Sequence, residues 1–202
     1  MAQQHLIMFD FDGVIADSLD DQSEAFVDTL SGEGLHHLAT QGHFLDFLET
    51  NWFAALAEAG VPADIAAQLE DSFSELPSPE LFPGMAAVVE RLAAAHTVLV
   101  ITSSRTADVE RILEEHGVQG VAEVIGGDKE ASKTRRIEGA RERFGHARPA
   151  WYVGDTVGDM LEARAAGVRT VGAAWGWHGC ERLGRVAPDH IAHAPGDLLE
   201  LF

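Results

Sequence analysis

The chain of 202 residues contains a single cysteine, Cys180, so an internal disulfide is excluded and a reducing, cytoplasmic setting is the expected one. No apolar run approaches the ~20 residues that a bilayer-spanning helix requires. The opening MAQQHLIMFDFD has no basic residue ahead of its apolar segment, so a secretory signal is not expected either. Basic residues are scarce throughout, 14 Lys and Arg against 33 Asp and Glu, for a formal net charge of -19. A surface that acidic argues against nucleic acid or an anionic membrane as partner, since both demand basic patches. Between residues 14 and 82 the scarcity is complete, with fourteen acids and no Lys or Arg.

That stretch reads as a unit of its own. Its patterning predicts helices over residues 20–30, 44–59 (stopped by Gly60) and 62–73, with Pro62 at an early helical position. Pro77, Pro79 and Pro83 then mark a return to different organisation. From residue 85 onward apolar strands and amphipathic helices alternate, the signature of a doubly wound α/β sheet. Helices are expected at 85–95, 106–116, 132–144 and 157–166, and strands at 97–101, 121–125, 150–153 and 168–173. A short strand at 190–192 and a terminal helix at 198–202 close the chain. The expected division is a core of residues 1–17 and 81–202 with a helical insert, 18–80. The length suits one such domain, able to bury about 70% of the surface its unfolded form exposes. Oligomeric state is not legible beyond a monomer or small homo-oligomer.

The chemistry concentrates at strand ends. Residues 6–9, LIMF, are continuously apolar, as a strand covered on both faces should be, and they end in Asp10 and Asp12. Side chains at i and i+2 of an extended segment point the same way, so these carboxylates share a site. Like charges that close raise each other's pKa unless a cation or a shared proton holds them. Gly13 permits a sharp turn just beyond. The pattern suits a divalent metal with a nucleophilic or acid/base carboxylate at the sheet edge where α/β folds bind ligands. After TVLVI come Thr102, Ser103, Ser104 and Arg105, hydroxyls and backbone N–H groups opening a helix, which suits an anion, although Ser and Thr are also ordinary helix caps. Lys133 stands at the start of the next helix, where the dipole disfavours a cation unless an anion is shared. After WYV come Gly154 and Asp155, a glycine and a carboxylate that suit an oxygen-rich Mg²⁺ site. Asp159, one turn on, fits either metal support or a first-turn helix acid.

In this order the segments FDFDGVIADS, VLVITSS, a lysine before a helix, and VGDTVGDM resemble the four motifs of the haloacid dehalogenase superfamily. The resemblance covers essentially the whole chain. The stretches EARAAGVRTVGAAWGWH and PGMAAVVERLAAAHTVLVITSS look like the phosphoglycolate phosphatase branch, whose helical cap occupies the place of the insert. Ser103 departs from the Asn frequent there, and DKEASKTRR lacks the usual Lys-Pro, which leaves Lys129 as a rival to Lys133 for the third motif. The resemblance implies a Rossmann-like parallel core under an α-helical cap, and a Mg²⁺-dependent phosphatase acting on a small phosphorylated metabolite, phosphoglycolate-like or a sugar phosphate. Asp10 would be the nucleophile and Asp12 the general acid/base. Mg²⁺ would be held by Asp10, the Asp12 backbone carbonyl and Asp155, with Asp159 in support. Thr102, Ser103 and Lys133 would bind the phosphate, and Arg105 is a candidate substrate contact.

Individual residues narrow this further. Dehalogenases of the superfamily lack the second aspartate, phosphonatases use a cap lysine, and phosphomutases need cations for a second phosphate. This sequence has Asp12 and no Lys or Arg between residues 14 and 82. A phosphomutase, or a non-catalytic binding protein on the same fold, is the alternative reading. A receiver domain would be much shorter. A carboxylate on the leaving group would have to be read by Arg105, by Arg135, or by His36, His37 and His43 of the insert.

Overall fold

The computed structural model describes residues 4–145 and 148–202. Strand β1 (Leu6–Phe9) leads into a helical segment of α1 (Leu19–Gly32), α2 (Gln41–Phe47), α3 (Trp52–Glu58) and α4 (Ala63–Ser74). The alternating part follows: α5 (Met85–Ala93), β2 (Thr97–Ile101), α6 (Thr106–Glu115), β3 (Val121–Ile125), α7 (Lys133–Phe144), β4 (Ala150–Gly154), α8 (Val157–Ala165) and β5 (Arg169–Ala173). The chain ends with α9 (Gly179–Gly184), β6 (His190–Ala192), a 3₁₀ turn (Pro195–Asp197) and α10 (Leu198–Leu201). Among the described residues no helix is long and apolar enough to cross a membrane.

The six strands form one parallel sheet in the order β3-β2-β1-β4-β5-β6. From β1 the chain winds outward through β2 and β3, then crosses to β4 and winds the other way. The reversal opens a crevice at the carboxyl ends of β1 and β4, the place where this topology binds ligands. Every residue of β1 is fully buried, and its period of two divides it between two cores. Ile7 and Phe9 join the cluster with Met85, Val89 and Val109, while Leu6 and Met8 join Ile137, Tyr152 and Ala163. That is why the strand reads as an unbroken apolar run.

The helical segment has a core of its own, built on Phe26, Phe44, Trp52, Leu56 and Leu69. The chain leaves and returns to the sheet side by side: Asp17 N–H donates to the Glu80 carbonyl at 2.9 Å and Phe82 N–H to that of Ile15 at 3.0 Å. The helix expected over 44–59 is two helices, α2 and α3. The break between them docks on α8, where Gly158 N–H donates to the Leu48 carbonyl at 3.0 Å. A Cβ on Gly158 would meet the Thr50 and Leu48 carbonyl oxygens at 2.6 and 2.7 Å. Asn51 restarts the helix by accepting from Ala54 N–H at 3.3 Å, and its amide donates to Glu162 at 3.2 Å. Tertiary contact overrides a helical pattern here. The short α9 was not expected either. Only Leu183 of its six residues is buried, so it carries no periodic signal.

Candidate active site

β1 ends at Asp10, whose N–H continues the ladder to the Val153 carbonyl at 2.8 Å. Its Oδ1 accepts from Phe11 N–H at 2.8 Å, and its Oδ2 from the Lys133 ammonium at 2.8 Å. Burial pushes the Asp10 carboxyl up to about 7 against the opposing pull of Lys133. Lys133, the first residue of α7, is itself buried and reaches Asp159 Oδ1 at 2.5 Å as well. Burial disfavours its charge, yet the two carboxylates hold its pKa well above the ordinary lysine value. The rival Lys129 is exposed and pairs with Asp128 at 3.3 Å.

Asp155 follows β4 and is fully buried. Its Oδ2 accepts from Trp177 N–H at 2.7 Å, and its Oδ1 is buried with no partner among the described residues. Burial, with Asp159 and Asp10 beside it, raises its pKa well above the carboxylate range. Gly13 is required here: its φ is 74°, and a Cβ would fall 2.0 Å from Asp155 Oδ2. Asp159 is held on every side. Its Oδ2 accepts from the N–H groups of Asp155 and Thr156 at 3.2 and 3.1 Å, closing a capping box with Thr156 at the start of α8. Burial works against its charge, but Lys133 and these donors keep its pKa below the ordinary value.

Asp10, Asp155 and Asp159 each offer an oxygen within 4.8 Å of the others. With all three carboxylates ionised, the one ammonium would leave two negative charges, an excess that together with burial raises the pKa values of Asp10 and Asp155. A divalent cation would balance those charges, and the orphaned Asp155 Oδ1 lacks a positive neighbour of just that kind. Hard oxygen donors are the ligand type that Mg²⁺ takes. The residues present therefore fit the expected metal.

Asp12 lines the same cavity but stands outside this cluster. Its Oδ1 accepts from Ser18 Oγ and Gln22 Nε2, each at 2.7 Å, and its Oδ2 from Ser104 Oγ. Burial raises its pKa, and these donors oppose the rise. None of the three donors was singled out from the sequence. Ser18 and Gln22 precede and open α1, where they read as a helix start, and Ser104 is one hydroxyl among several. Thr102 is buried, with Oγ1 accepting from Ser104 N–H at 3.2 Å, while Ser103 is exposed at the cavity rim. Buried Arg136 donates to the Thr102 carbonyl and so holds this loop from below. Nothing in its helical spacing distinguishes it from a surface arginine.

The cavity, about 190 Å³, lies between these strand ends and the helical segment. Phe44, Trp52, Phe73 and Leu76 of that segment wall it, together with Trp177 of the core. Arg105 lines it too, but its guanidinium is bound to Asp71 of α4 at 2.5 Å. Of the other groups considered for a leaving-group carboxylate, Arg135 is exposed and pairs loosely with Glu130 at 3.7 Å. His36, His37 and His43 do not line the cavity, and His43 bonds to Thr40 instead. Arg135, His36 and His37 are exposed and His43 is partly so, which spacing alone did not reveal.

A phosphoglycolate phosphatase from Synechococcus elongatus is 27% identical over 96% of this chain and 95% of its own length. Another, from Xanthomonas campestris pv. campestris, is 31% identical over 96% of this chain and 94% of its own. Among solved structures, a hydrolase from Pseudomonas syringae superposes with a TM-score of 0.81 at 20% identity, covering 98% of this chain and 97% of its own. A haloacid dehalogenase-like family hydrolase from Streptococcus pneumoniae gives 0.76 at 24%, with both chains fully covered. The last two establish likeness of fold. The family model for haloacid dehalogenase-like hydrolases matches residues 7–173, a span that contains β2 through β5, nearly all of β1, and Asp10, Asp12, Asp155 and Asp159, and the chain belongs to that family.

Proposed function

We propose that the protein is a Mg²⁺-dependent phosphatase that hydrolyses a small phosphomonoester through an aspartyl phosphate on Asp10. The observation that carries this reading is the unequal treatment of two carboxylates two residues apart: Lys133 grips Asp10, whereas neutral donors surround Asp12. The ammonium draws Asp10 toward the ionised form that attacks, against the burial that lifts its pKa. Asp12, bonded only to neutral donors, is the better placed of the two to hold a proton. The names of the curated relatives support a phosphomonoester substrate.

Asp10 would attack phosphorus in line as the bond to the leaving oxygen breaks, and Asp12 would pass its proton to that oxygen. Asp12, now anionic, accepts from Ser104, Ser18 and Gln22. It then takes a proton from water, which attacks phosphorus and frees Asp10 and inorganic phosphate. The hydroxyls of Ser104 and Ser18 can donate to the anion and accept from the acid, so they suit both halves of the cycle. Thr102 and Lys133 would hold the phosphoryl oxygens on which charge develops. Asp10, the Asp12 backbone carbonyl and Asp155, with Asp159 in support, would hold Mg²⁺, which would screen the negative phosphate from the attacking carboxylate. The helical segment, walling the cavity with aromatic side chains, would act as a cap that excludes bulk water.

Turnover of an aryl phosphate with and without Mg²⁺ tests the class. Rapid quenching followed by mass spectrometry tests the route, with a phosphoryl adduct expected on Asp10. Asp10→Asn should abolish adduct and turnover together, while Asp12→Asn should still label slowly with a good leaving group. An adduct on Asp12 or on a histidine would overturn the assignment.

A further inference from the structure

Beyond the four aspartates, the lining of the cavity has a consistent character. Its cations are already engaged: Arg105 by Asp71, and Arg111 by Glu115 at 2.9 Å and by Ser78 at 2.6 Å. Lys133 is shared between Asp10 and Asp159. Its acids are not. Asp21, Glu70 and Asp108 line the same walls, and among the described residues their carboxylates have no hydrogen bond or ion pair. Glu70 is the most telling. It lies on the face of α4 that also presents Phe73 and Ser74 to the cavity, it is partly buried, and burial raises its pKa. The rings of Phe44, Trp52, Phe73 and Trp177 line the same cavity.

We infer that this lining recognises a positively charged nitrogen, so that the substrate is the phosphate ester of an amino alcohol, with Glu70 as its counter-ion and the aromatic wall as its bed. The inference rests on the phosphatase reading and names its substrate class. Three kinds of leaving group could fill the space. An anionic one, carboxylate or second phosphate, would meet three unpaired carboxylates and, among the described residues, no cation that is not already paired. A neutral one would drive water from Glu70 and leave its half-buried charge only the attraction of Arg105, whose guanidinium Asp71 already holds, which is unfavourable. A cationic one pairs with Glu70, and the ring faces attract it as well, since their quadrupoles are negative over the face.

Two measurements separate this inference from the reaction class. In the first, calorimetry with Asp10→Asn and Mg²⁺ ranks the binding of O-phosphoethanolamine, phosphoglycolate and ethyl phosphate without any turnover. O-phosphoethanolamine should bind at least about tenfold tighter than either, the scale of one charge-assisted hydrogen bond. In the second, kcat/KM for O-phosphoethanolamine and phosphoglycolate is compared between wild type and Glu70→Gln, where the intrinsic reactivity of each ester cancels. The first value should fall by about tenfold or more and the second should rise. Glu70→Lys, a change at a partly exposed helical position, should invert the preference outright. Equal or weaker binding of O-phosphoethanolamine, or a Glu70→Gln variant that moves both esters alike, would overturn the inference and leave the phosphatase reading intact. If wild type hydrolyses no phosphomonoester while the binding order holds, the reaction class is what fails and the recognition stands.

Discussion

The strand-built core and the helical segment above it both carry carboxylates in excess, and they place them in opposite ways. The core collects Asp10, Asp12, Asp155 and Asp159 at one sheet edge, buries all but Asp12 almost completely, and surrounds them with donors and the Lys133 ammonium. The helical segment keeps its interior aromatic and sets its acids on outward or cavity-facing positions, with no Lys or Arg of its own. Burying a charge costs several kcal/mol unless partners offset it. A buried cluster therefore persists only where partners hold it, as Lys133 and the backbone donors do here. Unpaired acids at the rim cost little and act through their field on whatever enters.

The comparison breaks most sharply at Lys133. Lys133→Met would leave Asp10 and Asp159 in the interior with no cation, and removing one partner of a buried pair costs about 3–5 kcal/mol. Urea unfolding in the absence of metal should show a loss of that size. Turnover should fall by at least about 10²-fold, the scale of one lost electrostatic stabiliser. Lys133→Arg keeps the charge on a bulkier, planar head and should recover most of the stability but little of the turnover. A Lys133→Met protein as stable as wild type would mean that the cluster is not held by the ammonium.

Asp155 is the next test, since its Oδ1 is the one oxygen of the cluster left without a partner. Its folded pKa is raised by burial and by Asp159 and Asp10. Between the ordinary carboxylate value and that raised value the native state binds more protons than the unfolded one. Metal-free stability should therefore decline as pH rises through this window. Asp155→Asn removes the penalty: the variant should be the more stable protein at neutral pH without metal, and its stability should vary less with pH. Mg²⁺ should raise the melting temperature of wild type and leave that of Asp155→Asn nearly unchanged. Equal Mg²⁺ responses in the two proteins would remove Asp155 from the metal site.

What was legible from sequence follows the same division. The β1 strand, the parallel alternation and the strand-end carboxylates were readable because burial on both faces leaves a continuous apolar run, and a charge that ends such a run stands out. The partners of those charges were less readable. Lys133 could be preferred to Lys129 from its place at a helix start, but Ser18 and Gln22 carry no mark that they turn toward Asp12. The break between α2 and α3 depends on Gly158, more than a hundred residues away. The Asp71 pairing that occupies Arg105 joins two helices whose separation in sequence hides their contact in space.

That pairing is where core and helical segment meet, and it supplies the smallest test. Arg105 and Asp71 are both substantially exposed, 43% and 64% at the side chain, so their ion pair contributes only about 0–1 kcal/mol to stability. Asp71→Asn should accordingly leave the melting temperature within a few degrees of wild type. Its effect should appear in selectivity. The substitution removes one acid near the cavity mouth and releases the guanidinium that lines it, converting the cavity lining from one with no unpaired cation among the described residues to one with a single free cation. For phosphoglycolate, kcat/KM should rise severalfold, on the order of the 3- to 10-fold that a partly screened ion pair can supply. For O-phosphoethanolamine it should fall by a similar factor, and high salt should compress both changes, because the groups involved are open to solvent. A rise for both esters alike would point to a general opening of the cavity, and no change in either would show that Arg105 takes no part in reading the leaving group.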